Sequence, residues 1–121
     1  MDNHTAEAII ITCIDFRFQE YINNWAAENF QPKTYDRGAF AGAAKSLDTI
    51  LSQIEVAVSL HQIKKAILIN HEDCGAYGEM DHIDHHVKDL HHASKVIKEH
   101  FPNLEVETYY LHLDGKFEPV K

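Results

Sequence analysis

Basic residues are scarce in this sequence: 11 Lys and Arg stand against 19 Asp and Glu, a formal charge of −8. Phosphate groups are bound by clustered Lys and Arg, and the longest basic run here is Lys64-Lys65. Binding to nucleic acid or to an anionic membrane is therefore set aside. Long apolar runs are missing as well. The run at residues 8–11 is far too short to span a bilayer or to form a signal-peptide core, and no basic segment precedes it. A cytoplasmic location is the expectation. There are only two cysteines, and in a reducing compartment they read as metal ligands or plain thiols before they read as a disulfide. Glycine and proline number five and three, too few for a linker, a low-complexity segment or disorder.

What is present suits one compact domain covering residues 1–121. The chain is 45% hydrophobic and 25% charged. A chain of this length buries about two-thirds of the surface exposed by its unfolded form. It needs neither a disulfide nor a metal merely to fold.

Residues 8–13, Ala-Ile-Ile-Ile-Thr-Cys, form a continuous β-branched run, the signature of a strand buried on both faces. Residues 18–30 read as a helix closed by Pro32, and 33–36 as a short second strand. Residues 37–42 carry two glycines and read as a loop. A helix over 43–60 follows, with Leu47, Ile50, Leu51, Ile54 and Val58 at helical spacing. Residues 66–69 form another buried strand. A helix over 79–101 places Met80, Ile83, Val87, Leu90, Ser94 and Ile97 on one stripe and ends before Pro102. A last strand covers 106–113, and Asp114-Gly115 turns the chain after it. The order β-α-β-α-β-α-β implies an α/β fold: one three-layer domain with a mostly parallel central sheet of about four strands.

In open α/β sheets, ligands bind beyond the carboxyl ends of the strands, where strand order reverses. Two chemically loaded segments fall at such ends. Cys13, Asp15 and Arg17 follow the first strand. As alternate residues of an extended chain they would project together, and Arg17 would clamp the Asp15 carboxylate with two hydrogen bonds. His71, Cys74 and Gly75 follow the third strand, with a His-x-x-Cys spacing common among metal ligands. Gly75 lets the chain approach a metal closely. If the two strands are neighbours, the segments face each other across the crevice. Two thiolates and one imidazole, with one position left open, form the donor set of a catalytic zinc site rather than a structural one. Asp15 is a candidate fourth ligand.

These residues together resemble the β-carbonic anhydrases. That family carries Cys-x-Asp-x-Arg after its first strand and His-x-x-Cys-Gly after its third. The stretch 54–69 and the closing Asp114-Gly115-Lys116 are also similar to the family, and Arg37-Gly38-Ala39 is similar to its Arg-Asn-Ala loop. Gly38 stands where Asn is usual, and Asn70 where Gly is usual. The resemblance implies a short member, since few residues precede the first strand and the usual N-terminal arm and the longer insertion after His-x-x-Cys are not seen. It implies one Zn2+ per chain on Cys13, His71 and Cys74. The activity it implies is reversible hydration of carbon dioxide to bicarbonate by a zinc-bound hydroxide. Asp15 would orient that hydroxide and Arg17 would hold Asp15, while Gly38 and Gly75 would border the substrate. In some members the aspartate binds zinc directly in a resting state. The resemblance also implies a homodimer, in which Tyr109 and Tyr110 are interface candidates.

Other readings stay open. Relatives on this scaffold hydrolyse carbonyl sulfide or carbon disulfide. A non-catalytic zinc-binding domain is a third possibility, although such a site needs neither Asp15 nor Arg17. Thiol chemistry ranks low, because no Cys-x-x-Cys is present. Ten histidines occur, five of them at 82, 85, 86, 91 and 92. A proton shuttle or a His82–His86 metal pair is conceivable. The plainer expectation is a solvated helix face for His85 and His92, with His82, His86 and His91 flanking the apolar stripe.

Overall fold

The computed structural model describes residues 4–121, and within them five strands form one sheet. In chain order the elements are β1 (Ala8–Thr12), α1 (Gln19–Asn29), β2 (Tyr35–Ala39), α2 (Leu47–His61), β3 (Lys65–His71), α3 (Ile83–His100), β4 (Glu105–Leu111) and β5 (Phe117–Pro119). The sheet order is β2-β1-β3-β4-β5. The first four strands are parallel, and β5 runs antiparallel to β4.

Strand order reverses at β1. The chain leaves β1 for β2 on one side, then returns through α2 to place β3 on the other. The carboxyl ends of β1 and β3 therefore flank the crevice where this architecture binds ligands, and those ends carry Cys13 and His71.

The β-branched run of β1 is buried along its whole length, because its alternating side chains feed two cores. Ile9 and Ile11, with Ala66 and Leu68 of β3, pack on Ile50 and Ile54 of α2 and on Leu90 and Ile97 of α3. Ala8 and Ile10, with Ile67 and Ile69, pack on Phe18 and on Ile22 and Ala26 of α1. Each such aliphatic side chain contributes about 1.5–3 kcal/mol when fully buried. The result is three layers: α2 and α3, the sheet, and α1.

The structure corrects the sequence reading at several points. The sheet has a fifth strand, and at three residues β5 is too short for alternation to reveal it. Its Pro119 sits on the sheet's edge, where a missing N–H costs little. The turn that launches β5 depends on Gly115, whose φ is +94° and whose added Cβ would fall 2.6 Å from Tyr21 Cε1. Arg37, Gly38 and Ala39 belong to β2 and pair with Ile10, Ile11 and Thr12; the glycine that suggested a loop is absorbed by an edge strand. Residues 43–46 are not part of α2. Gly42 and Ala43 hold left-handed backbones, with φ of +81° and +45°, and a 3-10 turn at Ala43–Lys45 precedes the helix. Residues 79–82 are not part of α3, because a 3-10 segment at Gly75–Met80, kinked at Gly78, intervenes.

Tyr109 and Tyr110 are engaged within the chain rather than presented at an edge. Tyr110 is buried, with its ring against His86, and Tyr109 lies between Trp25 and Phe117. No helix among the described residues is long and apolar enough to cross a membrane.

Candidate metal centre

Cys13, His71 and Cys74 are all buried, and their Cys Sγ and His nitrogen atoms lie within 4.8 Å of one another. Each arrives from a strand end: Cys13 just after β1, His71 as the last residue of β3, and Cys74 on the turn beyond it. The two sulfurs are 4.0 Å apart, close to the ~3.8 Å expected across a tetrahedral zinc with ~2.3 Å Zn–S bonds. No other group of three potential metal ligands occurs among the described residues.

The imidazole is set up for coordination. His71 Nδ1 donates to the Glu72 carbonyl at 2.7 Å. This leaves Nε2 with its lone pair, and that atom is the one buried side-chain N or O among the described residues without a hydrogen-bond partner. Buried polar atoms are seldom left so, and a metal ligand whose other ring nitrogen is held by a carbonyl is a recurrent arrangement. Phe18 packs on the ring at 4.2 Å between centroids.

The thiols respond to each other. Cys13 is pushed down, first by the hydrogen bond with Cys74, against burial and with help from His71 and the Gly42 and Asp15 backbone. Cys74 is pushed up by the same pairing and by burial. Any proton the pair shares must leave when both sulfurs ligate a metal. The Gly42 N–H points at Cys13 Sγ at 3.4 Å. A side chain at Gly42 would crowd Lys45 and Ala76, quite apart from the strain of its φ.

Asp15 and Arg17 do not continue the strand. The chain turns at Asp15 into a 3-10 segment at Phe16–Phe18, and the Asp15 side chain caps it through the Arg17 N–H. The clamp forms all the same: Arg17 Nε and Nη2 reach Asp15 Oδ1 and Oδ2 at 3.1 and 2.7 Å. Arg17 also donates to the Asp73 carboxylate and carbonyl, at 2.9 and 2.8 Å. One guanidinium therefore ties the loop after β1 to the loop after β3. It lowers the Asp15 carboxyl to about 2, with burial opposing. Asp15 Oδ2 ends 3.8 Å from His71 Nε2.

Of the remaining expected site residues, Gly75 lies beside Cys74 with nothing within 4 Å of where its Cβ would be. Gly38 lies inside β2 against Phe40 and Ile11, away from the cluster. His82 is exposed and His86 is fully buried. The His86 ring nitrogens are occupied by Asn70 and Asp81, which excludes the pair as a metal site. Sequence reasoning missed Asp73, which stands within the His-x-x-Cys spacing and receives Arg17. It noted Gly42, Asn70 and His86 without the contacts they make here, and it missed Asp81. Spacing did single out His86, four residues after His82, but as a metal ligand or proton shuttle; Asp81 gave no spacing signal.

A Cys-His-Cys cluster at the reversal point of a parallel sheet, with an arginine-held carboxylate at its edge, defines a class of α/β proteins with a site able to hold a metal at the strand ends. Residues 3–121 match a protein family described as "Putative carbonic anhydrase", and the chain belongs to that family. It is 30% identical to an uncharacterized protein of Rickettsia bellii, over 95% of this chain and 82% of that one. Its fold is similar to that of β-carbonic anhydrase isoform I from Trichomonas vaginalis (TM-score 0.72, 14% identity, 99% of this chain and 86% of that one). It is similar as well to a carbon disulfide hydrolase in its apo form (TM-score 0.63, 12% identity, 93% and 76%).

Proposed function

We propose that the protein is a zinc-dependent carbonic anhydrase that interconverts carbon dioxide and bicarbonate. One observation carries this reading. The Asp15 carboxylate, kept ionised by Arg17, sits 3.8 Å from the unpartnered Nε2 of a buried histidine. With both oxygens held by Arg17, that carboxylate is placed to orient a nucleophile rather than to serve as a fourth metal ligand.

The three donors fit zinc by type and spacing. Bound there, zinc supplies a Lewis acid that makes water a usable nucleophile near neutral pH. Cys13, His71 and Cys74 hold it. Asp15 accepts a hydrogen bond from the nucleophile and so fixes the direction of its lone pair. Arg17 keeps Asp15 charged and in place, and the open space beside Gly75 admits a small linear substrate. Hydrolysis of carbonyl sulfide or carbon disulfide is the second reading, favoured by the likeness to the carbon disulfide hydrolase.

A homodimer is part of the proposal. Ile14, Phe16, Met80 and Leu113 are exposed at the carboxyl end of the sheet, Phe16 by 85%, and a second copy would cover them. A reducing cytoplasm suits the free thiols Cys13 and Cys74.

The test is stopped-flow hydration of carbon dioxide by protein of measured zinc content, with Asp15→Ala beside it. Hydration that falls by about 100-fold in the variant supports the reading. Zinc-loaded protein that hydrates nothing at neutral or alkaline pH rejects it. Turnover of the sulfur compounds would then select the second reading, and its absence a non-catalytic zinc domain.

A further inference from the structure

His71 and Asn70 are neighbours on β3, and their side chains leave the sheet on opposite faces. Asn70 is 1% exposed and lies under α3. Its Oδ1 accepts the Ala44 N–H at 3.1 Å, which fixes the orientation of the amide. Its Nδ2 then faces Tyr77 Oη at 2.8 Å and His86 Nδ1 at 3.0 Å. An amide nitrogen only donates, so His86 Nδ1 accepts and the ring carries its proton on Nε2. That proton goes to Asp81 Oδ1 at 2.8 Å. Asp81 Oδ2 accepts the Cys74 N–H at 3.0 Å. The Tyr77 hydroxyl donates onward to Asp89 at 2.8 Å. The His86 ring is fully buried, 3.8 Å from the Tyr77 ring and tilted 33° to it.

We propose that Asn70, His86 and Asp81 form a one-way hydrogen-bond chain that positions Cys74 for metal binding. This rests on reading Cys13, His71 and Cys74 as a metal centre. The chain begins at Ala44, in the turn whose Gly42 N–H touches Cys13 Sγ. A single turn therefore sets both sulfurs, Cys13 directly and Cys74 through three side chains. Asn70, His86 and Asp81 are positioning residues, since none of them belongs to the ligand cluster.

The direction of the chain makes the inference testable. In Asp81→Asn the single acceptor oxygen serves either Cys74 or His86, and the amide nitrogen meets an N–H at the other. Adding Asn70→Asp reverses the chain with the same net charge. The carboxylate at position 70 accepts from Ala44, from His86 Nδ1–H and from the Tyr77 hydroxyl, which turns away from Asp89, while Nε2 accepts from the amide at position 81, whose oxygen keeps the Cys74 N–H. The measurements are zinc affinity by chelator competition, the thiolate-to-cobalt absorption band of the cobalt-loaded chain, and thermal unfolding of the metal-free chain.

Asp81→Asn is expected to weaken zinc binding about 10–100-fold and to shift the cobalt band, and the double variant is expected to recover most of both. Equal affinity in Asp81→Asn and the parent overturns the inference. So does a double variant no tighter than the single one. A lower unfolding temperature with zinc affinity and the cobalt band unchanged assigns the chain a purely structural role, which also overturns it. A parent chain that takes up no zinc rejects the metal-centre reading itself, and this inference with it.

Discussion

The two faces of β3 solve opposite problems. On the α1 face, His71 is buried with its Nε2 unpartnered. On the α3 face one residue earlier, Asn70 is as deeply buried with its oxygen and nitrogen both engaged. Unsatisfied buried polarity costs stability, about 1–3 kcal/mol per group. A fold that saturates one face and leaves one atom bare on the other supports the proposal that this atom is kept for a ligand. The contrast separates the residue that binds from the residues that hold it still.

Exchanging the roles tests the contrast. The largest effect is expected for His71→Ala and Cys74→Ser. Their zinc affinity, by chelator competition, should fall by more than the ~100-fold typical of a change outside the ligand shell, with the metal-free unfolding temperature little changed by Cys74→Ser. Asn70→Ala should weaken zinc binding less than the loss of a ligand and should also destabilise the metal-free fold. It leaves Tyr77, His86 and the Ala44 N–H short of a partner, so denaturant unfolding of the metal-free chain should show a loss of about 2–4 kcal/mol. Gly115→Ala, remote from both faces, should cost about 1–3 kcal/mol through its backbone alone, before any push on Tyr21. Its zinc affinity should match the parent's.

The gentlest test uses pH. Burial lowers the pKa of His86, against the pull of Asp81 and Asp89 and with the help of His71. Tyr77 and Tyr110 also face the ring. A histidine held neutral in the fold takes up its proton only on unfolding. Its contribution is therefore complete above about pH 6.5 and is lost as pH falls, by at most ~1.4 kcal/mol per pH unit. Denaturant unfolding between pH 5 and 7 should show this slope in the parent and a flatter one in His86→Gln.

The sequence reading picked out Cys13, His71 and Cys74, which the fold brings together, because strand ends announce themselves. A β-branched run stops at Cys13, another stops at His71, and the parallel topology leaves few ways to arrange them. Asp15 and Arg17 were legible as a pair, but their geometry was not. The reading kept them extended, whereas Asp15 caps a turn, and a single capping residue carries no periodic signal. His86 was hidden for a different reason. The stripe drawn through Ile83, Val87 and Leu90 weighs apolar character, so it passes over a histidine. The stripe that packs is His86, Leu90, Ala93 and Ile97, one position away, and Ile83 is 40% exposed. Ala93 was the available clue. The fifth strand escaped because its pairing is set by the Asp114-Gly115 turn rather than by its own three residues.

Arg17 joins the loop after β1 to that after β3, reaching an aspartate 56 positions further along the chain. Neither loop alone carries a full ligand set, and the pairing of β1 with β3 brings them together. Closing so long a loop is slow compared with forming a helix or a hairpin. On the proposed zinc reading, metal capture should therefore be a late event in folding, following completion of the sheet. In refolding experiments zinc uptake should lag behind secondary structure, and excess zinc should leave the folding rate unchanged. A chelator should strip the metal without melting the strands that gathered it.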